Sequence, residues 1–469
     1  MKKVKFLLIV TALFFSCQNE HSSLGIMFTG DVILDRGVKD QVTLHGDSLL
    51  TKAFYKAKSE DFLVVNYEGT FTNQVASQRD EFNFSQEAKY ASLLAKSGIT
   101  HVSIANNHSY DYYEEGFKDT VEALSQNNLD VLGNTCNPKI LSKGEYNCAI
   151  LGASLTTYNE NLCISSIKKL KSSVINFKKN HPEIPLVLYI HWGLELQYTP
   201  EKWQKELAVD LVNLGVDAII GHHPHVVQTI DFINDVPVFY SLGNYIADAY
   251  LPNTNISYTI SLKVTDQIDQ VNLIPIELKR YFPFHINKDQ QLSYLKKYLS
   301  FSNGVCALQN KESWILKPLK MVDFKEETTL WVSTKDTIYS TIKKMQSGQK
   351  VLTVHTPNSR SNTVGLFGEL SEMHFSDIDN NGIIDILLGI KKKVHFDQEE
   401  KKRLNIYSYK EKRLSPLWLG TKFIDDVDSF SPYTKNRYNY LQTIEVDKKG
   451  KKHQRIYKWD DFGFALTNK

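Results

Sequence analysis

The chain has 469 residues, of which 42% are hydrophobic and 23% are charged, proportions that are ordinary for a globular protein with an ample core. That length predicts two to three domains. The formal net charge of +2 is nearly neutral, which excludes a strongly basic surface, and we predict no nucleic-acid partner.

The first 17 residues have the pattern of an export signal. Three lysines precede an apolar run, Phe6 to Phe15, that is too short to span a bilayer as a stable helix. Ser16 and Cys17 follow it, and this ending resembles a bacterial lipoprotein signal. We therefore expect a lipid on Cys17 that anchors the mature chain in the cell envelope, outside the cytoplasm. Gln18 favours the outer membrane by resemblance to sorting signals. The alternative is an ordinary signal peptide with a chance cysteine.

Residues 24 to 285 alternate predicted strands and helices, which indicates an α/β fold with a central, largely parallel sheet or a pair of sheets. The predicted strands, all short and apolar, are Ile26–Thr29, Phe62–Asn66, His101–Ala105, Ala149–Ala153, Leu186–His191, Ala218–Gly221 and Val238–Ser241. The predicted helices include Glu87–Ser97, Tyr113–Gln126, Leu162–Lys179 and Glu201–Leu214.

The pattern changes near residue 285. Residues 286–316 are predicted to form a polar helix and a linker, and residues 317–469 a smaller all-β domain. A short helix is predicted at Thr337–Met345, with Asp336 as its N-cap. The predicted strands of this domain are Leu330–Ser333, Gln349–His355, Val364–Leu370, Ile383–Ile390, Leu404–Tyr409, Tyr440–Val446 and Arg455–Lys458.

Three cysteines in the first domain, Cys136, Cys148 and Cys163, leave two alternatives open. One disulfide among them is possible in an oxidising compartment, and buried free thiols are the other possibility. The chain has no Cys-x-x-Cys spacing, which argues against a thiolate zinc site.

Polar clusters follow six of the predicted strands at the point where each strand ends. The clusters are Gly30-Asp31, Asn66-Tyr67-Glu68-Gly69, Ala105-Asn106-Asn107-His108, His191-Trp192-Gly193, Gly221-His222-His223-Pro224-His225 and Ser241-Leu242-Gly243-Asn244. Each alone could be a turn, a helix cap or a surface loop. Because strand ends of an α/β sheet lie together, their joint occurrence predicts one shared crevice. Carboxylate, amide and imidazole ligands suit Mn, Fe or Zn, with Mg also possible.

Taken in order, these motifs resemble the CapA family, which is named for poly-γ-glutamate capsule synthesis. The residues that carry the resemblance are Gly30-Asp31-Val32-Ile33, Asn66-Tyr67-Glu68, Ala105 to Asp111, His191-Trp192-Gly193-Leu194-Glu195, Gly221 to His225 and Tyr240 to Tyr245. The resemblance covers residues 24 to about 278. It implies a calcineurin-like metallophosphoesterase arrangement of α/β layers.

The resemblance also implies roles for individual residues. Asp31 and His108 are the expected catalytic residues, Asp31 as the first carboxylate ligand and His108 as an acid or transition-state stabiliser. The expected metal ligands are Asp31, Glu68, Asn107, His191, His223 and His225. His222 is expected to be a structural neighbour. Two departures from the metallophosphoesterase pattern, Ile33 in place of a histidine and Glu68 in place of a bridging aspartate, leave open a single ion or binding without turnover.

Arg36, Glu195 and Asn244 are the expected substrate contacts. For Arg36 and Glu195 the alternative is a surface salt bridge, and for Asn244 it is a turn. The resulting hypothesis is an exported lipoprotein that binds or hydrolyses an anionic envelope polymer at a divalent-metal site. Two alternatives remain, namely a metallophosphoesterase for a small phosphorylated substrate and a non-catalytic polymer-binding scaffold. The oligomeric state is left open.

A second ion site is suggested in the C-terminal domain. The segment from Asp377 to Asp385 carries side-chain oxygens at positions 1, 3, 5 and 9 of a calcium-type loop, from Asp377, Asp379, Asn381 and Asp385. Gly382 at position 6 allows the sharp turn. Leu388 stands where an EF-hand has its bidentate glutamate, so the segment more closely resembles the Asp-rich calcium turns of FG-GAP-type repeats. The alternative is an Asx-rich turn without metal.

Overall fold

A computed structural model describes most of the chain from residue 23 onward. The described ranges are 23–45, 47–55, 60–75, 82–156, 162–298, 305–310, 313–318, 329–332, 338–344, 350–355, 362–381, 383, 385–394, 397–410, 413–420, 423–435, 438–460 and 463–467. The predicted export signal, with Cys17, lies outside these residues, so its lipidation stays a prediction. None of the helices in the described ranges is long and apolar enough to cross a membrane.

Strands and helices alternate in the described residues from 24 to 222, and six successive strands follow up to residue 284. The strands are β1 (Leu24–Val32), β2 (Phe62–Tyr67), β3 (Thr70–Phe71), β4 (Ser85–Gln86), β5 (His101–Ser103), β6 (Asp130–Leu132), β7 (Lys139–Lys143), β8 (Tyr146–Ser154), β9 (Leu186–His191), β10 (Ala218–His222), β11 (Ile230–Ile233), β12 (Val236–Phe239), β13 (Asn244–Ile246), β14 (Ile256–Val264), β15 (Ile268–Lys279) and β16 (Phe282–Phe284). The helices are α1 (Arg36–His45), α2 (Asp47–Ala53), α3 (Ala91–Lys96), α4 (Tyr113–Gln126), α5 (Ile167–Asn180) and α6 (Lys202–Asn213).

All seven predicted strands and four named helices of this region have a counterpart, so the α/β prediction is confirmed. The helix predicted at Leu162–Lys179 begins later, at Ile167, because the Ser166 side chain accepts a hydrogen bond from the Lys169 amide and caps it there. The helix predicted at Glu87–Ser97 is divided into a 3-10 turn, Ala88–Tyr90, and α3.

Two sheets face each other at the centre of this region. In the first, β1, β2, β5 and β6 run parallel, and β14 joins β1 antiparallel. In the second, β8, β9, β10 and β12 run parallel. Phe28 and Val64 of the first sheet share a buried core with Ile150 and Tyr189 of the second. Strands covered on both faces must be apolar almost throughout, which is why these segments have continuous hydrophobic runs.

Helices cover the outer face of each sheet. Val38 of α1 and Leu94 of α3 pack on the first sheet, and Leu170 of α5 and Leu211 of α6 pack on the second. The order of layers is therefore helix, sheet, sheet and helix. This stacking brings the carboxyl ends of two sets of parallel strands to one edge, which is where the site lies.

The C-terminal half contains one helix and many strands in its described residues. The helix is α7 (Lys288–Tyr298). The strands are β17 (Val305–Asn310), β18 (Ser313–Pro318), β19 (Thr329–Val332), β20 (Ile338–Lys344), β21 (Lys350–His355), β22 (Asn362–Leu366), β23 (Glu369–Ser376), β24 (Asp385–Val394), β25 (Asp397–Lys410), β26 (Arg413–Leu419), β27 (Asp426–Lys435), β28 (Tyr438–Val446), β29 (Lys452–Asp460) and β30 (Gly463–Leu466).

The first sheet continues across the predicted domain boundary. Antiparallel β18 pairs with β15, and β17, β19, β20, β21 and β22 extend the sheet further. The segment 286–316, predicted as a helical linker, thus contains α7 but also β17 and most of β18. The helix predicted at Thr337–Met345 is wrong, since β20 lies there between β19 and β21. Ile338, Thr341 and Ile342 are β-branched, and such residues favour a paired strand over a helix.

Two further sheets complete the β-rich region, one of β23 to β26 and one of β27 to β30. Leu387 and Ile406 of the former share a buried cluster with Phe430 and Leu441 of the latter. The prediction of a β-rich C-terminal region is therefore confirmed.

A disulfide joins Cys136 and Cys163, whose Cα atoms are 5.2 Å apart, while Cys148 is a buried free thiol. The sequence left open a disulfide or buried free thiols among these three cysteines, and the structure contains one of each. Burial raises the pKa of Cys148 to about 12, so this thiol stays protonated and unreactive.

Loss of this disulfide should destabilise the first domain. The bond closes a segment with a sequence separation of 27, for which the lost chain entropy corresponds to about 3.5 kcal/mol. Cys136→Ser with Cys163→Ser should lower the free energy of unfolding by that amount in denaturant titrations. Added reductant should have the same effect on the wild type and none on the double variant. Equal stability of both proteins without reductant would contradict the prediction.

Candidate metal centre

The polar strand ends of the two sheets meet in one crevice. Within the first sheet, Asp31 is in register with Asn66 on one side and with Asn244 on the other. Within the second sheet, His222 is in register with His191. The layering of the sheets then brings residues far apart in the sequence within hydrogen-bonding distance.

Two carboxylates form the floor of the crevice. Asp31 and Glu68 are both fully buried. The Asn66 side-chain amide donates to Asp31 Oδ1 at 2.9 Å and to Glu68 Oε1 at 3.0 Å, so it holds the two carboxylates side by side. Asn66 had no predicted role, although its place at the end of a buried strand was a usable signal.

Four histidines surround these carboxylates. His222 Nδ1 lies 2.6 Å from Asp31 Oδ1. His225 Nδ1 lies 3.2 Å from Asp31 Oδ2, and its Nε2 lies 3.7 Å from Glu68 Oε2. His191 Nδ1 lies 3.8 Å from Glu68 Oε1. The fourth, His223, packs its ring 4.7 Å from that of His191.

The remaining predicted ligand, Asn107, also faces the crevice. Its Oδ1 lies 2.8 Å from His191 Nε2. All six predicted metal ligands are therefore in one place. His222, expected to be a structural neighbour, contacts Asp31 directly through one ring nitrogen, and this bond fixes the carboxylate.

Two overlapping groups of ligand atoms could hold an ion. Asp31, Glu68 and His225 form one, and Glu195, His223 and His225 form the other, with the atoms of each group within 4.8 Å of one another. Glu68 Oε2 and His223 Nδ1 are buried and have no hydrogen-bond partner among the described residues. Buried polar atoms normally have partners, so these residues fit a divalent cation.

The backbone of the histidine loop has an unusual conformation. His223 and His225 have positive φ angles of 98° and 56°, a region that residues other than glycine rarely adopt. Such backbone strain concentrates at functional sites, where the surrounding fold imposes it. Pro224 separates the two residues, and both imidazoles face the same group of ligands.

Burial and mutual repulsion separate the pKa values of the two carboxylates. Burial and the neighbouring Asp31 charge raise the pKa of Glu68 well above its usual range. Burial alone would also raise the pKa of Asp31, but His222 and His225 outweigh it and lower that pKa well below the usual range.

The pKa values of His223 and His225 are also shifted in opposite directions. Burial and the neighbouring His225 lower the pKa of His223 to about 3, so its imidazole is neutral, as a ligand must be. Burial opposes protonation of His225, but Glu68 and Asp31 raise its pKa to about 10. Without a cation, protons at His225 and Glu68 compensate the buried charge, and a metal ion would replace them.

The crevice opens into a cavity of about 600 Å³, bordered by Asn107, His108, Glu195 and His225 among others. His108 Nδ1 lies 2.9 Å from Asp111 Oδ2, and the same carboxylate oxygen accepts a hydrogen bond from the Phe84 amide at 2.7 Å. Asp111 therefore orients the His108 ring. Its position three residues after His108 on a turn was a signal that the sequence interpretation did not use.

The three predicted substrate contacts border the same cavity. The Arg36 guanidinium lies over the rings of Phe82 and Phe84, 5.1 and 4.8 Å from their centroids. Asn244 Oδ1 lies 3.0 Å from His225 Nδ1, so this residue positions a predicted ligand. Glu195 is exposed at the rim.

The cavity wall is more acidic than a site for anions alone would require. Asp35, Asp111, Glu195 and Asp248 all border it, and Arg36 is the sole lysine or arginine among its described lining residues. Ile33, for which the resemblance implies a departure from the metallophosphoesterase pattern, contributes an apolar side chain to the wall. A bound anion would thus depend on Arg36 and on any cation in the crevice for charge compensation.

Comparison with known proteins adds independent information. The family model described as "Bacterial capsule synthesis protein PGA_cap" matches residues 25–249. The capsule biosynthesis protein CapA of Bacillus anthracis is 26% identical over 320 residues, which cover 62% of this chain and 77% of that protein. The PGA biosynthesis protein CapA of Bacillus subtilis strain 168 is 26% identical over 300 residues, 60% of this chain and 79% of that protein.

Among solved structures, TT1561 of Thermus thermophilus aligns with 52% of this chain and all of its own length, at 9% identity and a TM-score of 0.33. A likeness at that level carries no argument about the fold. The matched region 25–249 contains every residue of the crevice, and its six motifs are those that resemble CapA in the sequence. The family match over residues 25–249 and the 26% identity to the two Bacillus proteins support the CapA family of bacterial capsule synthesis proteins for this region of the chain.

Proposed function

We propose that this protein is a cell-envelope protein that binds, and at its metal centre hydrolyses, an anionic capsular polymer of the poly-γ-glutamate type. The names of the Bacillus relatives support the polymer and the envelope location. A lipid on Cys17 is the proposed anchor, in the outer membrane. The paired sheets with outer helices and the crevice at their edge support a calcineurin-like metallophosphoesterase arrangement.

The observation that carries the proposal is the buried ligand cluster of Asp31, Glu68 and His225. Two carboxylates at this depth cost free energy unless a cation compensates them. His191, His223 and Asn107 complete a set of nitrogen and oxygen ligands, and that mixture suits Mn, Fe or Zn, with Mg also compatible. A metal bound there would lower the pKa of a coordinated water and polarise a phosphoryl or carbonyl oxygen.

The residues around the cluster have distinct roles in this proposal. His108, oriented by Asp111, donates a proton to the leaving group at the cavity side of the crevice. Arg36 binds an anionic group of the substrate, because it is the sole lysine or arginine of the described cavity wall. Asn66 and His222 keep the two carboxylates in place through the bonds described above.

A second candidate is a metallophosphoesterase for a small phosphorylated substrate. The cavity size supports it, since about 600 Å³ lies within the range of small-molecule sites. The same volume would accept a polymer through its chain end, so the two candidates differ in the substrate and share the metal centre.

Elemental analysis of the full-length chain after metal-replete purification tests the shared part of both proposals. We expect at least one transition-metal ion per folded chain. Folded wild-type protein without bound metal would contradict a metalloenzyme and leave a polymer-binding scaffold. Poly-γ-glutamate and a generic phosphodiester should then be compared as substrates, because cleavage of only the phosphodiester would favour the second candidate.

The Arg36→Gln variant should bind anionic polymer at least about tenfold more weakly, since a charge-assisted hydrogen bond is lost. Its metal content should equal that of the wild type, because Arg36 lies outside the ligand cluster. Lys118→Gln, which removes an equal charge from the exposed face of α4, is the control and should bind normally. Equal polymer affinity in both variants would remove Arg36 from the substrate site.

A further inference from the structure

The turn between β23 and β24, far from the crevice in the sequence, gathers three carboxylates. Asp377, Asp379 and Asp385 each offer an oxygen, and these atoms lie within 4.8 Å of one another. An acidic turn alone is common on protein surfaces without any ion. The burial of one member distinguishes this cluster.

Asp385 is fully buried at the first position of β24. Its Oδ2 accepts a hydrogen bond from the Ile378 amide at 3.0 Å, but its Oδ1 is buried without a hydrogen-bond partner among the described residues. Ser408 faces Asp385 on β25, and its buried hydroxyl lies beside this carboxylate. A buried carboxylate oxygen within 4.8 Å of two other carboxylates is destabilising unless a proton or a cation compensates the charge, and a cation would be held by all three.

The neighbouring backbone is already arranged around these oxygens. The Asn381 amide donates to Asp377 Oδ1 at 2.8 Å and to Asp379 Oδ1 at 3.2 Å. Asn381 Oδ1 accepts from the Ile383 amide at 2.7 Å. These bonds hold Asp377, Asp379 and Asn381 close together, so little ordering of these residues would be needed when an ion binds.

The same turn contacts the other C-terminal sheet. The Asn439 amide at the start of β28 donates to Asn380 Oδ1 at 2.7 Å, and the Asn439 side chain donates to the Asp377 carbonyl at 2.7 Å. An ion that fixed the turn would therefore also fix the junction between the β23–β26 sheet and the β27–β30 sheet.

We infer that Asp377, Asp379 and Asp385, with Asn381, form a calcium site that fastens the two C-terminal sheets together. A set of oxygen ligands on one short turn is the chemistry that selects Ca²⁺ over transition metals. The role is structural and independent of the crevice, which uses imidazole as well as oxygen.

The test is equilibrium dialysis of the full-length chain against CaCl₂, with thermal unfolding and hydrogen exchange measured with and without Ca²⁺. The wild type should bind calcium, unfold at a higher temperature in its presence, and gain protection in β24 and β28. Asp385→Asn keeps the side-chain size and removes one charge, and should weaken calcium binding at least about tenfold. Asp377→Asn, at a more exposed position, should do the same without affecting the fold.

Two controls separate this site from other carboxylates. Asp428→Asn removes a half-exposed carboxylate of β27 that pairs with Lys452, and should leave calcium binding unchanged. Asp31→Ala should also retain it, because that residue lies in the crevice. Absence of calcium binding by the wild type at millimolar Ca²⁺, or equal binding by the Asp377 and Asp385 variants, would overturn the inference. Neither result would affect the proposed crevice function.

Discussion

The Asp31→Ala variant is expected to purify without the transition metal that the proposed function assigns to the wild type. Asp31 is fully buried, contacts His222 and His225, and shares the Asn66 amide with Glu68. Its removal takes away one proposed ligand and frees both histidines to reorient. Metal affinity should fall by more than about 100-fold, because even residues that only support ligands contribute 10- to 100-fold. Elemental analysis and metal titration of the two proteins measure the loss.

Two further variants test whether the loss of metal is specific to the Asp31 carboxylate. Asp31→Asn keeps the shape of the side chain and should also lose metal, which separates a lost charge from a collapsed crevice. Asp40→Ala removes an exposed carboxylate of α1 and should retain the metal at wild-type level. If the folded Asp31→Ala protein retained its full metal content, Asp31 would not be a ligand. Any hydrolytic activity should decrease in parallel with the metal content.

Gly221→Ala should destabilise the second sheet and disturb the crevice at the same time. A Cβ atom at Gly221 would lie 2.1 Å from the Tyr240 carbonyl oxygen and 2.6 Å from Trp192 Nε1. That carbonyl accepts a hydrogen bond from the Trp192 indole N–H at 2.9 Å, so the added Cβ would clash with both members of a buried hydrogen bond. The backbone must move, at a cost of about 3 kcal/mol. Thermal and denaturant unfolding of the variant measure this change.

Because Gly221 directly precedes His222 and His223, the same shift should lower metal affinity even in the protein that remains folded. The control is Gly144→Asn, where no atom lies within 4 Å of an added Cβ and φ is +60°, a conformation that asparagine tolerates. This variant should match the wild type in stability and metal content. Unchanged stability of Gly221→Ala would mean that the close approach of the strands is not required.

The acidity of the cavity wall has a consequence for substrate binding. Four carboxylates border the cavity against two basic groups, Arg36 and His225, so an anionic polymer would be repelled in the absence of a bound cation. Polymer binding should accordingly depend on metal loading as well as on Arg36. The Arg36 and Asp31 variants therefore separate the two sources of positive charge.

Local patterns in the sequence were sufficient for the elements and for the list of candidate ligands. Short apolar runs between amphipathic segments can be recognised from periodicity alone, and they predicted β2, β9 and β10 close to their observed bounds. Because parallel strands end at one edge of a sheet, the residues that follow them were expected together. Asp31, Glu68 and His225 do lie together, although 194 positions separate the first from the last.

Local patterns were insufficient to predict secondary structure where a weak helical preference competes with pairing between strands. The segment Thr337–Met345 has enough helical character to predict a helix, yet Ile338–Lys344 is a strand between β19 and β21. Hydrogen bonds to partners on both sides and β-branched side chains outweigh a weak local preference. The same pairing carries the first sheet past residue 317, where composition had suggested a new domain.

The sequence by itself determined which residue types stand at the strand ends, and hence that carboxylates, amides and imidazoles would share a crevice. The tertiary structure decided which atoms meet. It showed that Asn66 bridges Asp31 and Glu68, that His222 contacts Asp31, and that Asp111 orients His108. These contacts depend on how two sheets stack and on the angles of one strained loop. Distances between segments that are remote in the sequence cannot be predicted from the periodicity of the chain.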